Sequence, residues 1–159
     1  MSYSVLLVNT NVARPPVSPV GLEYTGEALL HAKVSVQVLD LAFETDWATA
    51  LTRELKNNEP IAVGLSVRNT DDCSFATGKS FLPWIKTVVS HTRRLTRALV
   101  VLGGVGFSIM PETVLALTQA DAGIAGDGEE TMLALIQCRH QGKDISHLPN
   151  LVYWRQGNI

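Results

Sequence analysis

Residues 98–112 read ALVVLGGVGFSIMPE: an apolar, β-branched run that stops at Gly103, Gly104 and Gly106 and continues through Phe107 and Ser108 to Pro111. A short apolar run closed by glycines suits a strand buried on both faces. The proline suits the first turn of a helix, where its missing N–H leaves no hydrogen bond unmade. Strand, bare turn and helix in this order make one β/α unit.

The same alternation runs outward in both directions. Strands are expected at Ser4–Val8, Ser35–Leu39, Ile61–Ser66, Ala98–Leu102 and Ala122–Ala125. Between them, Leu22–Ala32, Trp47–Lys56 and Phe81–Leu95 carry apolar residues at helical spacing, for example Trp47, Leu51 and Leu55. Pro111 to about Thr118 and Glu129–Arg139 complete five helices. Strands alternating with helices predict an α/β fold with a parallel sheet, covered on both faces to give three layers. The doubly wound order 2-1-3-4-5 fits the chain length better than the six-stranded dinucleotide-binding order, and in either a ligand sits beyond the carboxyl ends of the strands. After the last helix, LVYW followed by RQGNI reads as a strand entering a turn, a partial hairpin. The expected division is therefore a domain over 1–142 and an extension over 143–159, with the chain as the N-terminal portion of a longer protein.

With 159 residues, 46% of them hydrophobic and 18% charged, the composition is that of one globular core. A net charge of −2 provides no footprint for nucleic acid or an anionic membrane surface. The basic cluster Arg93, Arg94 and Arg97 reads as the solvated C-terminal end of a helix. No segment approaches the ~18 consecutive apolar residues of a membrane span, and no basic leader precedes the first apolar run, so a cytoplasmic protein is expected. Cys73 and Cys138 lie far apart, outside any zinc or redox spacing, and read as free thiols.

Five loops at the strand ends should form the site: NTNVARPPVSPVG, AFETD, VRNTDDCSFATG, GGVGFSIM and GDGEE. The first contains no G-x-G-x-x-G to admit a pyrophosphate, and in the fourth Ile109 stands where the last glycine should be. Asp40 then reads as a cap of its strand end rather than a ribose ligand. Gly78-Lys79-Ser80 ends like a Walker phosphate loop, but Cys73 occupies the upstream glycine position. Receiver-type phosphorylation lacks its acids after the first strand. Ser108 lies in G-F-S-I-M rather than a nucleophile elbow, and His31, His91, His140 and His147 fall outside the five loops, as exposed helix or loop residues. What remains is glycine and neutral hydrogen-bonding groups. Gly103 and Gly104 remove two side chains where a flat ligand would slide against the strand ends, and Ser66, with Arg68, Asn69 and Thr70, offers donors from the neighbouring strand, Val67 lying among them. Gly106 reads as a turn glycine.

The motifs VLLVNTN, PPVSPVGLEY, GLSVRNTDD, VVLGGVGFSIMPE, GIAGDGEE and LPNLVYWRQG together resemble the cobalamin-binding domain that precedes the radical S-adenosylmethionine domain in B12-dependent radical enzymes. The resemblance covers nearly the whole chain. It implies a flavodoxin-like, Rossmann-like domain that holds the corrinoid above its strand ends and takes the nucleotide tail into a slot between sheet and helices. Gly103 and Gly104, with Val105 and Gly106 beside them, match the wall that lets the benzimidazole pass, and Ser66 matches the serine at the slot's mouth. Gly126-Asp127-Gly128-Glu129 resembles the family's G-E-G-E signature, with Asp127 in place of glutamate.

The first loop departs from the D-x-H-x-x-G of histidine-ligating relatives: N-T-N-V-A-R-P-P has no imidazole, so the corrinoid would be bound without an axial histidine. Asn9, Asn11, Arg68 and Asn69 are then the groups that would face the cofactor's lower side, and Thr10, between the two asparagines, is a further expected cofactor contact. A charged guanidinium has no lone pair to offer a metal, so Arg68 would set the electrostatics; alternatively it pairs with Asp71 or Asp72. The three-cysteine loop that would hold a 4Fe-4S cluster and bring S-adenosylmethionine is missing from the chain, so both belong to a downstream radical domain, the expected partner, and methyl transfer to an unactivated carbon or another radical rearrangement would be carried out there. Two further readings stay open: a module of the same fold that has lost cobalamin, and a small flavodoxin-like nucleotide-binding protein.

Overall fold

β-Branched residues pack well on a pleated surface, and the runs that carry them become the strands. In the computed structural model, which describes residues 4–72 and 74–159, these are β1 (Ser4–Asn9), β2 (Ser35–Asp40), β3 (Ala62–Ser66), β4 (Leu99–Gly103), β5 (Ala122–Ile124) and β6 (Leu151–Tyr153). The helices are α1 (Val20–His31), α2 (Trp47–Asn58), α3 (Leu82–Leu95), α4 (Val105–Ile109), α5 (Pro111–Thr118) and α6 (Glu129–Gln141). Cys73, read as a free thiol, lies outside the described residues; Cys138 is a free, buried thiol on α6. None of the described helices is long and apolar enough to cross a membrane.

The strands form one sheet in the order β2-β1-β3-β4-β5-β6. The first five are parallel in the expected order, joined by the helices that a parallel crossover requires. β6 runs antiparallel to β5, with Tyr153 opposite Ala122, and beyond it Arg155 and Asn158 bridge to close a small hairpin. The strand-into-turn expected at LVYW thus becomes the sixth strand of the main sheet. Trp154 secures it by donating its indole N–H to Ala120 O at 2.9 Å.

Strand parity sorts the core into two layers. Leu6, Val8, Val63, Leu65, Val67, Val100 and Leu102 face α2, α3 and α5 and are buried with Leu51, Val89 and Leu115. Val5, Leu7, Ala62, Val101 and Ile124 face α1 and α6, against Leu22, Leu29, Met132 and Leu135.

The structure departs from the sequence expectations in three places. GGVGFSI was expected to be loop, but Val105–Ile109 forms α4, because Phe107 is wholly buried beneath the sheet edge and pulls a turn of helix inward. His91 is half-buried between α2 and α3: its Nε2 lies 3.1 Å from Thr52 Oγ1 and its ring meets Trp47 edge-on. Arg93 is more than a solvated helix end; it hydrogen-bonds Gln119 O and pairs with Asp121, whose other oxygen accepts the Val100 N–H at 2.8 Å.

Candidate functional site

Parallel register lines up Asp40, Asn9, Ser66 and Gly103 in one row across the carboxyl ends of β2, β1, β3 and β4. By parity this row belongs to the face that carries α1 and α6. Asp40 does cap its strand end: its Oδ1 accepts the Ala42 N–H and the Asn9 Nδ2, both at 2.9 Å.

A cleft of about 810 Å³ opens from this row and descends between the sheet and α1 and α6. Its sheet wall is Leu7, Gly64, Ser66, Val101, Gly103 and Ile124; Leu22, Thr25 and Met132 form the opposite wall. α1 closes on the sheet at Gly26, where a Cβ would lie 3.3 Å from Leu7 Cδ1, and leaves the cleft at its first turn. The interior is mostly aliphatic and polar groups gather at the mouth, the arrangement of a small-molecule site.

The glycines of the opening motif divide by cause. Gly104 adopts φ +92°, and a Cβ there would lie 2.8 Å from Val67 O, so its bareness serves the chain itself. Gly106 was read as a turn glycine; it lies inside α4, and a Cβ would press to 2.9 Å on the Asn69 backbone, so close approach of two loops is the reason. Gly103 has neither constraint: its φ is not left-handed, and a Cβ would find no atom nearer than 4.0 Å. Among the described residues nothing accounts for its missing side chain, and it faces the cleft.

Ten of the residues singled out from sequence line this cleft: Asn9, Ser66, Arg68, Gly103, Gly104, Val105, Gly126, Asp127, Gly128 and Glu129. Five do not. Val67 points into the opposite core with no exposed surface, its N–H bonded to Gly103 O and its carbonyl to the Gly106 N–H. Thr10 is buried, and its hydroxyl donates to Ser66 O at 2.6 Å. Asn11 and Asn69 line a separate recess beside Trp84, and Gly106 is buried in α4. Arg68 borders both recess and cleft and is exposed. Asp72 is not its partner, since that carboxylate accepts from Thr77 Oγ1, Ser74 N and Lys79 N, and the Thr77 hydroxyl above all holds it below the usual carboxylate range.

Sequence reasoning missed the α1 wall and the role of Ser108. That hydroxyl donates to Gly104 O at 3.0 Å and accepts the Gly126 N–H at 2.8 Å, clasping the β4–α4 turn to the β5–α6 turn. The one legible signal was a serine four residues after Gly104, the spacing at which a helical hydroxyl reaches back to a carbonyl.

A parallel, doubly wound sheet with an elongated cleft beyond its strand ends defines the class as a cofactor-binding α/β domain. Residues 6–136 match the family described as B12 binding domain, and the chain belongs to that family. It is 35% identical over 98% of its length to the tryptophan 2-C-methyltransferase of Streptomyces laurentii, and spans 27% of that protein. It superposes with a TM-score of 0.95 on the radical S-adenosylmethionine methyltransferase TsrM from Kitasatospora setae, solved with cobalamin and a 4Fe-4S cluster bound, at 35% identity over 99% of this chain and 28% of that one. The cobalamin-dependent S-adenosylmethionine radical enzyme OxsB shares the fold, at a TM-score of 0.77 and 18% identity over 99% of this chain and 21% of that one.

Proposed function

We propose that this chain is the cobalamin-holding module of a B12-dependent radical S-adenosylmethionine methyltransferase and binds the corrinoid without an axial histidine. Residues 1–142 are the binding unit, and 143–159 lead towards a radical domain that holds the 4Fe-4S cluster and S-adenosylmethionine. The reading is supported by family membership and by the full length of the relatives, of which this chain spans about a quarter.

The observation that carries it is Gly103: a side chain is missing, for no internal reason, from the wall of a cleft large enough for a nucleotide tail. The residues fit the group. Leu7, Leu22, Val101, Ile124 and Met132 would exclude water around an aromatic base, while Ser66 would offer its hydroxyl to the polar part of the tail; the Thr25 hydroxyl donates to Gly21 O at 2.9 Å and has only its oxygen left to accept. Asn9 and Arg68 line the cleft at the strand ends, where they would help hold the corrinoid. When bound, cobalamin supplies a cobalt centre that carries a methyl group. Arg68 would contribute positive charge beside the bound group and, having no free lone pair, would not serve as a metal ligand. Among the described residues, no histidine lines the cleft.

Titration of the chain with hydroxocobalamin, followed by desalting and absorbance, tests the proposal. Retention of about one corrinoid per chain is expected. Loss of all absorbance under saturating conditions would leave instead a module of the same fold without the cofactor.

A further inference from the structure

The β1–α1 loop leaves the sheet at Asn9 and has no regular structure until Val20. Its first residues are nevertheless held from two directions. Thr10, 2% exposed, donates its hydroxyl to Ser66 O at 2.6 Å, and its carbonyl accepts the Trp84 indole N–H at 2.8 Å across 74 residues of chain. From that anchor two asparagine side chains order the next turn of the loop: Asn9 Oδ1 accepts the Asn11 N–H, and Asn11 Oδ1 accepts the Ala13 N–H, both at 3.1 Å.

Trp84 is itself fixed. Its ring meets Trp47 edge-on at 5.0 Å and 83°, and Trp47 meets the His91 ring at 5.1 Å. A column of rings thus runs from the α2–α3 seam to the loop, and Trp84 shares a small recess with Asn11, Arg68 and Asn69. The indole N–H is the point where a packed helix pair touches the loop's backbone.

The geometry points to Trp84 as a positioning residue that holds the β1–α1 loop in its binding-ready form beneath the corrinoid. This rests on the cobalamin reading of the cleft. A loop already fixed in its bound form loses less freedom on binding, and the gain appears as affinity. Trp84 does not line the cleft; it acts through the Thr10 carbonyl on the loop that carries Asn9 and Asn11.

Two variants test it in the 159-residue chain. Trp84→Phe keeps a ring against Trp47 and removes the N–H; Thr10→Val removes the hydroxyl from the same anchor. Each variant is first checked for wild-type far-ultraviolet circular dichroism. Both are expected to weaken hydroxocobalamin binding by roughly 3- to 10-fold, the equivalent of one hydrogen bond. Both are also expected to shift the visible band of the bound corrinoid and to speed amide exchange at Asn11 and Ala13. Wild-type affinity and spectrum in both folded variants would overturn the inference, as would weakened binding with unchanged exchange at those amides. A wild-type chain that binds no hydroxocobalamin overturns the cobalamin reading itself, and with it this role for Trp84.

Discussion

The two faces of one sheet are built differently. On the α2, α3 and α5 side, β3 and β4 present Val63, Leu65, Val100 and Leu102, Val67 follows just beyond β3, and Phe107 fills the end of the layer. On the α1 and α6 side the same strands present Ala62, Gly64, Ser66, Val101 and Gly103, and the helices stand off to leave the cleft. Below the polar row of Asp40, Asn9 and Ser66 the strands are apolar on both faces, so in the body of the sheet size separates packing from binding. An interior packed to crystal-like density has no room for a ligand, so a binding face must be made by omission. The omission is graded, since Gly64 yields to Leu7, whose Cδ2 lies 2.8 Å from where a Cβ would be, whereas Gly103 yields to nothing among the described residues.

The largest effect should come from the closed face. Phe107→Ala empties a wholly buried ring site stacked on Gly123, where even a Cβ would meet the ring at 2.1 Å, and should cost about 3–5 kcal/mol in urea denaturation. A loss under about 1 kcal/mol would mean that this face is not the tightly packed one. At the boundary between the faces, Gly104→Ala puts a methyl against Val67 O with φ at +92°, and should cost roughly 1–3 kcal/mol in the same assay. On the open face, Gly103→Leu should change stability by less than about 1 kcal/mol yet weaken hydroxocobalamin binding by roughly 10- to 100-fold, the affinity equivalent of overpacking a fitted site. Destabilisation as large as that of Phe107→Ala would close the cleft as an idea.

The smallest effect separates the helix ends. α2 starts at Asp46, whose carboxylate accepts the Thr49 hydroxyl at 2.6 Å and the Thr49 N–H at 3.1 Å, while α1 and α6 start at the cleft without a side-chain cap. The Thr49 hydroxyl, then the backbone N–H, holds the Asp46 carboxyl below its ordinary 3.8. A pKa lowered by folding makes the cap's contribution complete above pH 3.8 and lost as pH falls below it, through the folded value. The melting temperature of wild type should therefore exceed that of Asp46→Ala at neutral pH, and the gap should narrow below pH 3.8. A gap that persists unchanged in acid would show that the carboxylate is not its source.

Strand positions and the parallel order 2-1-3-4-5 were readable because hydrophobic period and turn residues act locally. The same reasoning failed at Gly106 and Phe107, where a glycine-rich run looked like loop; a ring buried from outside the run overrode the local signal. Val67 and Thr10 lie outside the cleft. Each is the next residue in the chain after a member of the site row, but one step along a strand end turns a side chain to the other face. Trp84 carried no signal, since its partner, the Thr10 carbonyl, is 74 residues away.

By itself the sequence determined the β/α alternation, the glycine wall and the absence of a histidine from the first loop, all of which are properties of neighbouring residues. Which of the three glycines is free for a ligand, which face of the sheet is open, and how Trp84 and Ser108 fasten the loops were decided only in the tertiary structure. A missing Cβ has meaning only once the atoms that would have met it are in place.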